Sequence, residues 1–124
     1  MINPQRPDFE NTPVSPQRPE YRYRPAGETP APLVSIVTPY YNTGAIFHET
    51  ARSVLQQSFQ HWEWLIANDG STVPEALEVL DHYRSLDPRI RVIDLPRNMG
   101  TSAAKNWAIR EARTDLIVLL DSDD

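Results

Sequence analysis

The sequence predicts an α/β fold, a mainly parallel sheet with flanking helices, preceded by a proline-rich tail. Three observations carry this expectation. Four short apolar segments rich in β-branched residues alternate with three segments whose apolar residues recur at helical spacing. Each strand-like segment runs into a polar or proline-containing loop. Of the 12 prolines, 8 crowd into Met1 to Pro32, which leaves the remainder of the chain to build a core.

The tail comes first. Its charges cancel, with Arg6, Arg18, Arg22 and Arg24 against Asp8, Glu10, Glu20 and Glu28, and its few large apolar residues follow neither the strand nor the helix period. Prolines remove backbone donors, so residues 1–32 are expected to be disordered or polyproline-like. Pro4-Gln5-Arg6-Pro7 and Pro16-Gln17-Arg18-Pro19 are near repeats that suit either a proline-reading partner or, more ordinarily, a solvated linker.

The expected single domain spans residues 33–124. Leu33 to Thr38 is a nearly continuous apolar strand closed by Pro39. Beyond Asn42-Thr43-Gly44, the positions Phe47, Ala51, Val54 and Leu55 form one stripe of a helix ending near Gln57. Trp62 to Ala67 repeats the strand signal and runs into Asn68-Asp69-Gly70-Ser71-Thr72. Pro74 suits a first helical turn, with Val73, Leu77 and Leu80 as the second stripe. Ile90 to Leu95 is a third strand and Pro96 to Gly100 a loop. Ala103, Trp107, Ile109 and Ala112 mark a third helix, and Leu116 to Leu120 a fourth strand. Helical crossovers of this length join parallel strands with one hand, and ligands then bind beyond the carboxyl ends of the strands. Every polar cluster of the sequence falls at that edge.

Residues 33–124 carry 8 Lys or Arg against 13 Asp or Glu and so hold the whole net charge of −5, which argues against a nucleic-acid partner. There is no apolar run of 18 residues and the start lacks the pattern of a signal peptide, so no transmembrane segment is expected and the segment reads as cytoplasmic. The absence of cysteine excludes thiol catalysis, disulfides and cysteine metal sites.

Asp121-Ser122-Asp123-Asp124 sets three carboxylates after an uncharged strand, where mutual repulsion favours a hard cation such as Mg²⁺ or Mn²⁺. A solvated acidic turn is the plain alternative. Asp69 can accept a hydrogen bond from a base or ribose, or act as a turn or helix-capping aspartate. Tyr40 and Tyr41 offer flat faces for a base, or packing. Residues 98–102 can present backbone donors to an anion with Lys105 one turn on, or form an ordinary capped helix start. His48, His61 and His82 lack metal spacing and are expected to face solvent.

Taken together, Val34-Ser35-Ile36-Val37-Thr38-Pro39-Tyr40-Tyr41-Asn42, Ser53-Val54-Leu55-Gln56-Gln57-Ser58-Phe59, Glu63, Asp69-Gly70-Ser71, Asn98-x-Gly100, Lys105-Asn106 and Leu120-Asp121-Ser122-Asp123-Asp124 resemble the family 2 glycosyltransferases of the GT-A (Rossmann-like) fold. The resemblance implies an inverting, metal-dependent transfer of a sugar from a nucleotide diphosphate to an acceptor hydroxyl, with a UDP-sugar favoured as donor. By the same resemblance, Thr38, Pro39, Tyr41, Asn42, Asp69, Gly100, Lys105, Asp121, Ser122 and Asp123 would contact the nucleotide sugar. Asp123 or Asp124 would ligate Mn²⁺ or Mg²⁺. Asn68 departs from the family's usual first aspartate and Lys105 from its usual arginine. The family's general base and acceptor-binding half follow the acidic motif, so the GT-A sheet is expected to be incomplete here. The base is expected beyond Asp124, and a glycan, lipid or protein acceptor would be held by the missing half. The chain alone is then expected to be inactive, and membrane association of the full-length protein stays open. A non-catalytic nucleotide-binding or partner-binding module is the alternative. A receiver-like domain is disfavoured, since its first strand would end in acids rather than Thr38-Pro39-Tyr40-Tyr41-Asn42.

Overall fold

The computed structural model describes residues 31–123. The expected tail, apart from its last two residues, and the expected metal ligand Asp124 lie outside them. Within them the elements alternate as the apolar pattern requires: β1 (Val34–Tyr40), α1 (Phe47–Gln56), β2 (Trp62–Asn68), α2 (Pro74–Arg84), β3 (Ile90–Asp94), α3 (Thr101–Glu111) and β4 (Ile117–Leu119). The four strands form one parallel sheet in the order β3-β2-β1-β4.

That order explains where the helices lie. Steps from β1 to β2 to β3 move one way across the sheet, whereas the step from β3 to β4 reverses past both central strands. Crossovers of constant hand must then place α1 and α2 on one face and α3 on the other. The side chains obey. Ile36, Tyr40, Trp64 and Ile66 pack with Phe47, Ala51, Val54, Val79, Leu80 and Tyr83 from α1 and α2. The alternate residues Val37, Leu65 and Ala67 pack with Ala104 and Ala108 from α3. On the first face Phe47 stacks on Trp64 at 5.4 Å and meets the edges of Tyr40 at 5.1 Å and Tyr83 at 5.3 Å.

Two helical stripes differ from the expected ones. In α3 the buried residues are Ala104 and Ala108, and Ile109 is exposed. Two alanines one turn apart let the helix lie close against the sheet, and their small side chains carry little hydrophobic signal. In α2 the buried set is Ala76, Val79, Leu80 and Tyr83, while Val73 caps the helix from outside and is exposed. Pro74 opens α2 as expected.

His61 is also not at the surface. It immediately precedes the wholly buried β2, and its carbonyl accepts from the N–H groups of Leu33 at 2.7 Å and Val34 at 3.2 Å, so it is drawn inside with the strand. His48 and His82 are exposed, as expected.

Glu63 follows the strand alternation onto the α3 face and is buried. A buried carboxylate needs partners, and this one has several. It accepts from the Ser35 hydroxyl at 2.6 Å and from the Arg113 N–H at 2.7 Å, and it pairs with the Arg91 guanidinium at 3.4 Å. Ser35 is its register partner on β1, Arg91 lies on β3, and Arg113 lies in the connection to β4. One side chain therefore ties all three well-paired strands to the segment that delivers the fourth.

Candidate functional site

At the carboxyl end of the sheet the loop after β1 and the turn after β4 face each other across a hollow of about 200 Å³. β1 and β4 are neighbours whose connections leave in opposite directions, the arrangement that opens a crevice in doubly wound sheets. Pro39, Tyr40 and Tyr41 line one wall, Asp121, Ser122 and Asp123 the other, and Asp69 and Thr101 the floor between them.

The two tyrosines have separate roles. Tyr40 ends β1 on the α1 and α2 face and is fully buried; its hydroxyl donates to the Ala76 carbonyl at 2.7 Å and accepts from the Gly44 N–H at 3.2 Å. Burial, opposed by the Gly44 hydrogen bond, holds its phenol above the ordinary tyrosine value. Tyr41, one residue on, points the other way and is 50% exposed, leaving its ring available to a flat partner.

Asp69 is 3% exposed and accepts from the N–H groups of Met99 at 2.6 Å and Gly100 at 3.0 Å. Two of the backbone donors in residues 98–102 that the sequence suggested for an outside anion, those of Met99 and Gly100, are thus taken by the protein's own carboxylate. Asp69 fastens the β3–α3 loop to the end of β2. It makes no capping bond to α2, which has no side-chain cap; the turn before that helix is held by Asn42, whose Oδ1 accepts from the N–H groups of Thr72 at 2.8 Å and Val73 at 3.0 Å. Asn42 takes a positive φ of 52° to do so, a conformation asparagine tolerates.

The acidic turn is held through Ser122. Its hydroxyl meets that of Thr43 at 2.7 Å, and its carbonyl accepts from the Thr50 hydroxyl at 3.0 Å. Those bonds leave Asp121 and Asp123 exposed at the hollow. No lysine or arginine lines it among the described residues. A diphosphate entering there meets carboxylates, so a hard cation carried with it is what the wall accommodates. Among the described residues no group of three or more acids or histidines encloses a metal. One or two carboxylates suffice for Mg²⁺ or Mn²⁺, which keep water and phosphate in their shells, so the donor set fits.

Of the expected nucleotide-sugar residues, the hollow brings together Pro39, Tyr41, Asp69, Asp121, Ser122 and Asp123. Thr38, Asn42, Gly100 and Lys105 do not line it. Thr38 is buried and accepts from Trp64 Nε1 at 2.9 Å, and Gly100 serves Asp69. Thr101, named from the sequence only within the possible anion-binding stretch 98–102 and not among the nucleotide-sugar contacts, does line it; its position directly after Gly100 at the start of α3 was the available signal.

Asn68 has a specific reason to differ from aspartate. Its Nδ2 donates to Asp94 at 2.9 Å while its Oδ1 accepts from the Ser71 N–H at 3.0 Å. Arg84 first, and Asn68 with it, hold the Asp94 carboxyl below its ordinary range. Asn68→Asp would turn the donor into a like charge, and a stability loss of about 1–3 kcal/mol at neutral pH is expected by chemical denaturation. Repulsion raises the folded pKa of a carboxyl, so the loss should ease as the pH falls into the carboxylate range. A variant equal to the parent at neutral pH would contradict the contact.

A parallel sheet with a hollow at its switch point is the layout of a doubly wound α/β domain, which binds its ligands there. Comparison with known proteins narrows the class. Residues 35–124 match the model of glycosyl transferase family 2, and the chain belongs to that family. It is 42% identical over 93 residues to Bacillus subtilis (strain 168) TuaG, whose name places it among glycosyltransferases of teichuronic acid biosynthesis; the match covers 75% of this chain and 36% of TuaG. Among solved structures it resembles S. aureus TarS in complex with UDP-GlcNAc, with TM-score 0.66, 26% identity, 73% of this chain and 26% of that one covered. The fold, a GT-A-like parallel sheet, is shared also with the mannosyltransferase PcManGT of Pyrobaculum calidifontis, solved with GDP-Man and Mn²⁺, at TM-score 0.66 and 21% identity over 75% of this chain and 28% of that one. The chain thus spans between about a quarter and just over a third of these proteins' length. No helix among the described residues is long and apolar enough to cross a membrane.

Proposed function

We propose that residues 33–124 form the donor half of an inverting, metal-dependent glycosyltransferase, binding the nucleotide diphosphate of a sugar donor in the hollow between β1 and β4. The single observation that carries this is the pairing, at the switch point, of an exposed Tyr41 with the carboxylates Asp121 and Asp123. Tyr41 stacks on the base and Asp121 takes the ribose or sugar. Asp123, with Asp124 beside it in sequence, holds Mn²⁺ or Mg²⁺ against the diphosphate. UDP is favoured because a TarS structure, a quarter identical, was solved with UDP-GlcNAc.

In an inverting transfer the acceptor hydroxyl attacks the anomeric carbon, a carboxylate takes its proton, and the nucleoside diphosphate departs. The metal, when bound, supplies charge neutralisation for that leaving group. This chain's residues orient the base and screen the diphosphate. The carboxylates at the hollow are committed to those tasks or, for Asp69, to the loop, so the general base and the acceptor contacts are assigned to no described residue. The proposal accordingly has the chain bind donor without transferring it. Glycan, lipid and protein acceptors all fit.

Calorimetric titration of UDP with and without Mn²⁺ tests the reading. Binding should require the metal and weaken about tenfold or more in a variant carrying Asp121→Asn and Asp123→Asn, whose circular dichroism should match the parent. Metal-independent binding, or no binding by a folded chain, would instead favour a non-catalytic module.

A further inference from the structure

A second polar assembly lies where α1 and α2 run side by side. His48, in the first turn of α1, and His82, in the last turn of α2, are 34 residues apart in sequence. The fold brings their rings to 6.0 Å between centroids at an interplanar angle of 74°. Both side chains are exposed. Tyr83, buried beside them, meets His48 Nδ1 with its hydroxyl at 2.6 Å.

Two imidazoles that share one metal at bond lengths of about 2.1 Å have centroids at most about 6.5 Å apart, and nearer for a tetrahedral angle. The observed separation is inside that limit, so the spacing of the two rings is compatible with a shared ion. His48 has its second nitrogen already engaged, which is how metal-binding histidines are ordinarily oriented. With Nδ1 protonated and donating to the Tyr83 oxygen, Nε2 carries the free lone pair.

We propose that His48 and His82 form a two-imidazole clamp for a borderline transition-metal ion, Cu²⁺, Ni²⁺ or Zn²⁺, across the α1–α2 pair. Among the described residues no third histidine or acid joins them, so water completes the coordination. Imidazole ligands select these ions, whereas Mg²⁺ and Mn²⁺ prefer oxygen. The clamp is thereby distinct in chemistry from the acidic turn and does not depend on the donor reading. Bound metal would lock α1 to α2.

The test is calorimetric titration of the chain, free of any affinity histidines, with Cu²⁺, Ni²⁺, Zn²⁺ and Mg²⁺ at one fixed, mildly alkaline pH. One Cu²⁺ per chain should bind more tightly than Ni²⁺ or Zn²⁺, and Mg²⁺ should not compete. His48→Gln and His82→Gln should each weaken Cu²⁺ about tenfold or more. Tyr83→Phe, which keeps the ring and removes the hydroxyl, should weaken it about tenfold as a positioning residue. Asp121→Asn with Asp123→Asn should leave it unchanged. Unaltered Cu²⁺ affinity in both histidine variants, or loss of it in the aspartate variant, would overturn the clamp.

Discussion

Replacing Gly70 with alanine is expected to remove about 3 kcal/mol or more of stability and to lower the melting temperature by roughly 10–20 °C. Gly70 has a φ of +77°, where any side chain costs about 1–2 kcal/mol. Space is the larger obstacle. A Cβ there would stand 2.4 Å from the Asn98 nitrogen and 2.7 Å from the Arg97 carbonyl carbon, both backbone atoms that cannot swing aside. Relief requires the 97–100 loop to retreat, which stretches the Met99 and Gly100 hydrogen bonds to Asp69. Thermal unfolding followed by circular dichroism gives the stability loss, and UDP titration the effect on the hollow. A variant that melts within a few degrees of the parent would mean that the two loops do not press together as described.

Removing the Glu63 carboxylate should be comparably severe but leave the hollow's chemistry alone. Glu63→Ala leaves the Arg113 N–H without its acceptor and takes one partner each from Ser35, which keeps Thr114, and from Arg91, which keeps Glu111, and a loss of about 2–4 kcal/mol is expected. Glu63→Gln keeps an acceptor oxygen and the shape, so it should lose clearly less, about 1–2 kcal/mol. Urea denaturation of the pair measures the difference, while the folded fraction of each should keep its UDP affinity, because Glu63 sits at the opposite end of the strands from the hollow. Equal losses in the two variants would mean that packing, not the carboxylate, matters at this position.

Much of this architecture is legible in the sequence because burial on both faces forces continuous apolar strands, and Leu33 to Thr38, Trp62 to Ala67 and Ile90 to Leu95 announce themselves that way. The carboxyl-edge clusters are legible for the same reason, since each polar group must wait for the strand to end. The strand order is not, because nothing local distinguishes a step that advances across the sheet from one that reverses past two strands. Contacts between segments are equally hidden. That Asp69 holds residues 99 and 100, that Asn42 holds the turn before α2, and that Ser122 is pinned from α1 all depend on pairings 30 or more residues apart. Tyr40 and Tyr41 look alike in sequence, and only the pleat decides which is core and which is free. The α3 stripe shifted by one residue because alanine methyl groups pack well and signal weakly.

The unequal embedding of β1 and β4 has a mechanical consequence. Among the described residues β1 is flanked on both sides and buried, whereas β4 is three residues long, pairs on one side and exposes Val118 and Leu119. Opening free energies follow such burial, so the tyrosine wall of the hollow is stiff and the acidic wall compliant. A ligand that must touch both walls binds only the fraction of molecules in which the compliant one is in register. Its apparent affinity is the intrinsic affinity scaled by that fraction. On the proposed reading of the hollow, whatever covers Val118 and Leu119 should therefore tighten nucleotide binding at a distance, without adding a contact to the nucleotide.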